Sequence, residues 1–371
     1  MKRLSLLILP VLALALLIML YPVVKGTLSN TENNEETIPE SELTVAAWIP
    51  YWDYNRGLQT LQNNQDKFSS ISPVIYEPLE NGDLKQLRGE SYKNIQAFSQ
   101  TNNIQFIPSI ALFDHEVLSK ILRDENNLNN HIYSIIQEIR NNRFDGVDLD
   151  YESTKLDDKE QYNRFITTLS SEIDTLEATE NRKITLSITV LAQWGPIDIY
   201  PSLRETRQVQ DWKFISPYAD EIRIMAYDFF NQYSSQPGPI APTFWIESIL
   251  NKAIAEIPKE KIVLGVHTYS YNWAAQDIEL DLNSILATES TLQADAYTFD
   301  QVQEVLDRYP HTILNNPLWG EKYVKYQREA KDRILVYTDA ETIRIRRDIA
   351  KRYGIKGVSY WRLGGDTLLE Y

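Results

Sequence analysis

The sequence predicts an α/β chain of (β/α)8 type, a TIM barrel carrying a small α+β insertion between its seventh and eighth strands. Three observations lead there. Short runs of β-branched and aromatic residues alternate with segments of helical apolar period from Leu43 onward. Eight such runs can be counted, which suits a closed barrel better than an open sheet. The 371 residues leave ample chain for a barrel of about 250 residues with insertions.

The first segment is of another kind. Lys2 and Arg3 precede Leu4 to Val24, apolar apart from Ser5, and Lys25 closes the run. As a helix rising about 1.5 Å per residue it would be roughly 30 Å long, the thickness of a bilayer core. It reads either as an uncleaved signal anchor or as a cleaved signal peptide, over residues 1–25. The basic flank predicts that this end stays cytoplasmic and the bulk is extracytoplasmic, with membrane contact through this segment only. Residues 26–42 are polar, acidic and free of aromatics, as expected of a flexible linker. The remaining stretch, 43–371, is read as the catalytic domain.

The predicted strands are, in order, Val45–Ile49, Val74–Tyr76, Gln105–Ile110, Gly146–Asp150, Ile184–Val190, Glu221–Ala226, Ile262–Val266 and Gly357–Trp361. Between them, Ile132, Ile135, Ile136 and Ile139 mark a helix over His131–Asn141, and Phe165, Leu169 and Ile173 mark one over Glu160–Thr175. The interval from the seventh strand to the eighth is too long for one crossover. It holds strand-like runs at Asp295, Tyr323 and Arg333 and a helix over Asp339–Arg352, so an insertion of about 268–355 is expected.

Composition narrows the function. Fifty-two acidic against 37 basic residues give a net charge of −15, which would repel phosphate backbones, so no nucleic-acid partner is expected. Without cysteine there is no disulfide, zinc-thiolate site or thiol nucleophile. The four histidines show no metal-ligand spacing, and neither a metal nor an organic cofactor is predicted.

The most informative stretch is Phe144-Asp-Gly-Val-Asp-Leu-Asp-Tyr-Glu152. Strand alternation places Asp148, Asp150 and Glu152 on one face and Val147, Leu149 and Tyr151 on the other. With the apolar face against the helices, three carboxylates point inward or to the C-terminal mouth. A calcium loop would require glycine where Ser153 stands, and a solvated edge strand fits poorly with the apolar opposite face. Crowded buried acids cannot all ionise, which leaves a proton for general acid chemistry.

This segment, with Asp145, Asp148, Asp150 and Glu152 in place, resembles the D-x-x-D-x-D-x-E strand of family 18 glycoside hydrolases. Met225-Ala-Tyr-Asp228 resembles that family's M-x-Y-D motif, Leu264–Tyr269 its seventh strand, and Gly357–Trp361 its eighth, which ends in a tryptophan under the sugar. One departure is Ser109-Ile-Ala-Leu112, where chitinases of the family usually carry S-x-G-G; it moves the expectation toward relatives acting on peptidoglycan or other N-acetylglucosamine glycans.

The resemblance implies a retaining, substrate-assisted hydrolase of the chitinase or endo-N-acetylglucosaminidase class, in which the acetamido oxygen of the sugar attacks the anomeric carbon. Glu152 would be acid and then base, Asp150 would hold the acetamido N–H, Asp148 would share the Asp150 proton and Tyr227 would donate to the acetamido group. Asp145, Asp228 and Met225 join the substrate-binding set, with Trp361 as the subsite floor. Trp48, Tyr51, Trp52, Trp194, Tyr269 and Trp273 are candidate glycan platforms near predicted strand ends. Two other readings stand beside this one: a glycan-binding barrel without catalysis, and a barrel that binds phosphate at Gly364-Gly365.

Overall fold

The computed structural model describes residues 43–195, 203–234, 236–274, 293–316 and 318–365. The predicted anchor and linker lie outside them; among the described residues no helix is long and apolar enough to cross a membrane.

In chain order the strands are β1 (Thr44–Ile49), β2 (Ser70–Pro78), β3 (Leu84–Gln86), β4 (Gln105–Phe106), β5 (Ser109–Leu112), β6 (Gly146–Tyr151), β7 (Thr185–Leu191), β8 (Glu221–Met225), β9 (Ile262–His267), β10 (Ser270–Ala274), β11 (Asp295–Tyr297), β12 (His311–Asn316), β13 (Glu321–Arg328), β14 (Lys331–Tyr337) and β15 (Gly357–Trp361). The helices are α1 (Tyr54–Asn63), α2 (Lys93–Thr101), α3 (His115–Arg123), α4 (Glu125–Asn142), α5 (Lys159–Glu180), α6 (Arg204–Val209), α7 (Trp212–Ile215), α8 (Thr243–Glu256), α9 (Phe299–Arg308) and α10 (Ala340–Tyr353).

Eight parallel strands, β1, β2, β5, β6, β7, β8, β9 and β15, form the barrel, which closes where β1 pairs with both β15 and β2. The run predicted as one third strand is two. Pro108 has no N–H to give to a ladder, so β4 and β5 stand either side of it. Helix α4 starts six residues before the expected His131, because the Asp124 carboxylate caps it by accepting from Asn126 N and Asn127 N. Its apolar stripe and that of α5 bury Ile132, Ile135, Ile139, Phe165 and Leu169 against the outer faces of the strands.

The insertion is smaller than the expected 268–355. Strands β10 to β14 make a five-stranded antiparallel sheet in the order β11-β10-β14-β13-β12, with α9 as its helix. Helix α10, expected within the insertion, belongs to the barrel: Ile343, Ile349 and Ala350 are buried in the barrel core, and Gly354 ends the helix in a left-handed conformation before β15.

Candidate active site

The C-terminal ends of the barrel strands open into a cleft of about 670 Å³, with Ala296, Tyr297 and Thr298 of the insertion on one side. Carboxylates dominate its floor. Alternation along β6 turns Asp148 and Asp150 inward, as expected, with Glu152 just past the strand end at the cleft surface.

Asp148 is fully buried and accepts four hydrogen bonds. Ser187 Oγ and Thr189 Oγ1 donate to its Oδ1 at 2.7 and 3.0 Å. Trp48 Nε1 and Ser109 Oγ donate to its Oδ2 at 2.9 and 2.7 Å. Two carboxylate oxygens offer about four acceptor directions, so all are in use. A proton relay through Asp148 would have to break one of these bonds.

Asp150 differs. It is buried, its Oδ1 has no hydrogen-bond partner, and burial first, then the charges of Glu152 and Asp148, hold its carboxyl well above the usual carboxylate range. Glu152 is pushed up to about 7, chiefly by burial and further by the neighbouring Asp228. Asp228 opens onto the cleft; desolvation by the cleft walls raises its carboxyl, opposed by the hydroxyls of Tyr269 and Tyr271, both of which donate to its Oδ1. Its backbone lies at φ 63°, unusual for a residue with a side chain.

Tyr227 is partly buried beside these acids and packs edge to face on Tyr269, with ring centroids 6.3 Å apart. Gly265 makes the room: a Cβ there would come within 2.6 Å of Ile224 O and 3.1 Å of the Tyr227 ring. Met225, Trp361, Trp48, Tyr51 and Trp52 also line the cleft. Trp361 stands between Trp48 and Trp52, at 6.1 and 6.5 Å between centroids. Trp48 is 1% exposed, and its indole N–H is spent on Asp148.

Three predicted site residues lie elsewhere. Asp145 precedes β6 at the opposite end of the barrel, where its Oδ2 accepts from Phe106 N at 2.8 Å and trims the end of β4. Trp194 packs on Trp245 at 5.4 Å and under Arg207, away from the cleft. Trp273 is fully buried in the core of the inserted sheet with Tyr271, Ile334 and Val336. In each case an aromatic or acid near a strand end answers a packing need. Gly364, weighed as a phosphate site, has φ 95° and passes close to Asp53 and Gly57, a tight crossing that a side chain would obstruct.

Other cleft residues went unpredicted. Glu77, Lys85 and Leu87 come from the β2–β3 hairpin, Phe113 follows β5, and Arg362 follows Trp361. Tyr271 proves to be a direct partner of Asp228. Arg362 could have been found from its place beside Trp361; the hairpin and Tyr297 carry no local signal.

Comparison with known proteins gives a family. The sequence profile described as "Glycosyl hydrolases family 18" matches residues 29–366. The chain is 22% identical over 290 residues to a protein of Bacillus subtilis (strain 168) named uncharacterized glycosylase YvbX, covering 76% of this chain and 75% of that one. It is 23% identical over 295 residues to the cortical fragment-lytic enzyme of Bacillus anthracis, covering 78% and 63% of the two chains. Among solved structures, a chitinase from Chromobacterium violaceum superposes with a TM-score of 0.74 at 17% identity, over 88% of this chain and 95% of that one.

Proposed function

The chain belongs to the glycosyl hydrolases family 18 and is a glycoside hydrolase, and from that premise we propose that it cleaves β-linked N-acetylglucosamine glycans, of peptidoglycan or chitin type, by substrate-assisted retention. The observation that carries this reading is the unequal condition of the four carboxyl groups. Asp148 has every acceptor direction occupied. Burial and two neighbouring acids hold the carboxyl of Asp150 well above the usual carboxylate range. Asp228 is clamped by two tyrosines. Asp148 and Asp150 are thus poor carboxylate nucleophiles and Asp228 is tied to the insertion's tyrosines, which supports the acetamido oxygen of the substrate as the attacking group.

Glu152, raised to about 7, holds a proton to give to the leaving oxygen and, once ionised, takes one from water. Asp150 accepts the acetamido N–H through its unpartnered Oδ1. Tyr227 donates to the acetamido oxygen, and Trp361 forms the apolar floor. Asp148, with its acceptor directions filled, acts as a fixed support for Asp150 and not as a relay. The named relative that acts on cortex fragments, together with Ala111-Leu112 in place of two glycines, favours the peptidoglycan side of the substrate range. On the sequence of residues 2–25 we place the enzyme on the outer side of the membrane, anchored by residues 4–24 or released after cleavage.

Mass spectrometry of products from the protein and from Glu152→Gln, incubated with purified peptidoglycan, chitin oligosaccharides and their de-N-acetylated forms, tests the proposal. Acetylated glycans are expected to be cut by the parent alone and de-N-acetylated ones by neither. Efficient cleavage of the de-N-acetylated forms would remove the acetamido mechanism.

A further inference from the structure

The chain is strongly acidic and Asp150, Glu152 and Asp228 line the cleft, yet cations gather at one end of it. Tyr51 and Trp52 follow β1 and meet edge to face at 4.8 Å between centroids. Trp52 is 52% exposed and lies outward of Trp361. A guanidinium stands over each ring: Arg88 is 5.8 Å from the Tyr51 centroid and Arg362 is 6.0 Å from that of Trp52.

Charges nearby do not cancel. Arg362 pairs with Asp53, which also faces Arg56 at 3.9 Å. Lys85 pairs with Glu77 at 3.1 Å on the hairpin wall. Arg88 has no carboxylate partner among the described residues. Four cations therefore meet two carboxylates here, in a protein whose net charge is −15.

The backbone on both sides of this end is anchored. The backbone of Arg362 is fixed by Thr268 Oγ1, which accepts from its N at 2.8 Å and donates to its O at 2.7 Å. On the hairpin side, the turn before β3 is pinned to α4: His131 Nδ1 lies 3.0 Å from Gly82 O, and Asn130 Nδ2 donates to Asn81 O at 2.9 Å. A cation over an exposed ring contributes only about 0.5–1 kcal/mol, too little to account for cations converging from two separate elements. Guanidinium groups match carboxylates in geometry and charge, and a sugar stacked on Trp52 would bring its substituents between these two.

We propose that Tyr51, Trp52, Arg88 and Arg362 form a subsite for a sugar bearing a carboxylate, so that the cleft prefers acidic N-acetylglucosamine glycans to neutral ones. This rests on the function proposed above only in taking an N-acetylglucosamine glycan as the ligand. The carboxylate could be a lactyl group on the sugar itself or belong to a peptide attached through that group.

Calorimetric titration of full-length Glu152→Gln protein, which should bind without cutting, distinguishes these. Three probes of equal sugar number serve: chitotetraose, a peptide-free tetrasaccharide with lactyl ether acids on alternate sugars, and the same with a short acidic peptide on the lactyl carboxyl. At low salt an acidic probe is expected to bind about three- to fivefold more tightly than chitotetraose. The preference should fall toward one when Arg88→Gln is added or salt is raised to about 0.5 M, and persist with Arg88→Lys. Tightest binding of the peptide-free acid assigns the carboxylate to the sugar; tightest binding of the third probe assigns it to the peptide. Chitotetraose binding equal to that of both acidic probes overturns the subsite and leaves the glycan reading intact, whereas binding of none of the three overturns both.

Discussion

Tyr271, on the first strand of the inserted sheet, donates its hydroxyl to Oδ1 of Asp228 at 3.0 Å. A residue of the insertion thus holds a carboxylate of the barrel, at a backbone conformation, φ 63°, that needs holding. Since Asp228 is the charge felt most by Glu152, the insertion reaches the proposed acid through this bond.

Removing that hydroxyl tests the arrangement. Hydrogen bonds to charged groups contribute about 1.5–3 kcal/mol, so Tyr271→Phe should lower kcat/KM by about ten- to a hundredfold. Because Tyr269 still donates to the same oxygen, the melting temperature should change little. A variant that loses stability and keeps its kcat/KM would make the bond structural only.

The acid itself sets the pH profile. Glu152 must be protonated to donate, and its carboxyl is raised to about 7, so kcat/KM should fall as pH rises through about 7. Asp228→Asn removes a negative charge beside Glu152 and should move that limb to lower pH, whatever it does to the maximum rate. A limb that stays in place, or moves up, would contradict the coupling.

The same shift is a statement about stability. A carboxyl whose folded value, about 7, exceeds its ordinary 4.5 favours folding in its protonated form. That contribution is fully present below about 4.5 and is lost as pH rises through about 7. Glu152→Gln carries no such ionisation. Its stability relative to the parent should therefore grow between pH 4.5 and 8, by on the order of 1–3 kcal/mol, in urea unfolding at several pH values. A difference that is flat with pH would mean that Glu152 is solvated.

Much of this was legible locally. Alternation along 146–151 is a property of any strand, and it suffices to put Asp148 and Asp150 on the inner face with Glu152 following at the mouth. The same geometry argues against Asp145 as a substrate ligand: seven residues at about 3.3 Å put it roughly 23 Å from Glu152, the height of the barrel, and there it caps β4. What sequence could not separate was aromatic core from aromatic groove. Trp52 and Trp273 both follow barrel strands in sequence, yet one is half exposed and the other fully buried, because the second belongs to the inserted sheet and packs in its core. The extent of that sheet was equally hidden, since α10 has the amphipathic pattern of any helix and only its contacts assign it to the barrel.

Those contacts include a buried ion pair that joins the two parts. Glu321, at the start of β13, accepts from Arg346 of α10 at 2.9 Å and from Ile240 N and Ala241 N at 2.7 Å each. Arg346 also donates to Ala241 O at 2.6 Å. His267 is fully buried 3.5 Å from Glu321, and burial, with the charge of Arg346, lowers its pKa well below the ordinary value. Burial acts against both charges of the pair, raising Glu321 and lowering Arg346, so neither group has a refuge if its partner is removed. Arg346→Met should destabilise the protein by about 3–5 kcal/mol, by leaving a carboxylate in the interior with only backbone amides and a neutral imidazole around it. Adding Glu321→Gln should recover part of that loss, since the amide oxygen can still accept from one of the two backbone N–H groups and no net charge stays buried. Thermal melts of the two single variants and the double decide it: a double variant that loses the sum of the singles would mean that the two residues act independently, and that the wall of the cleft is held by the sheet packing alone.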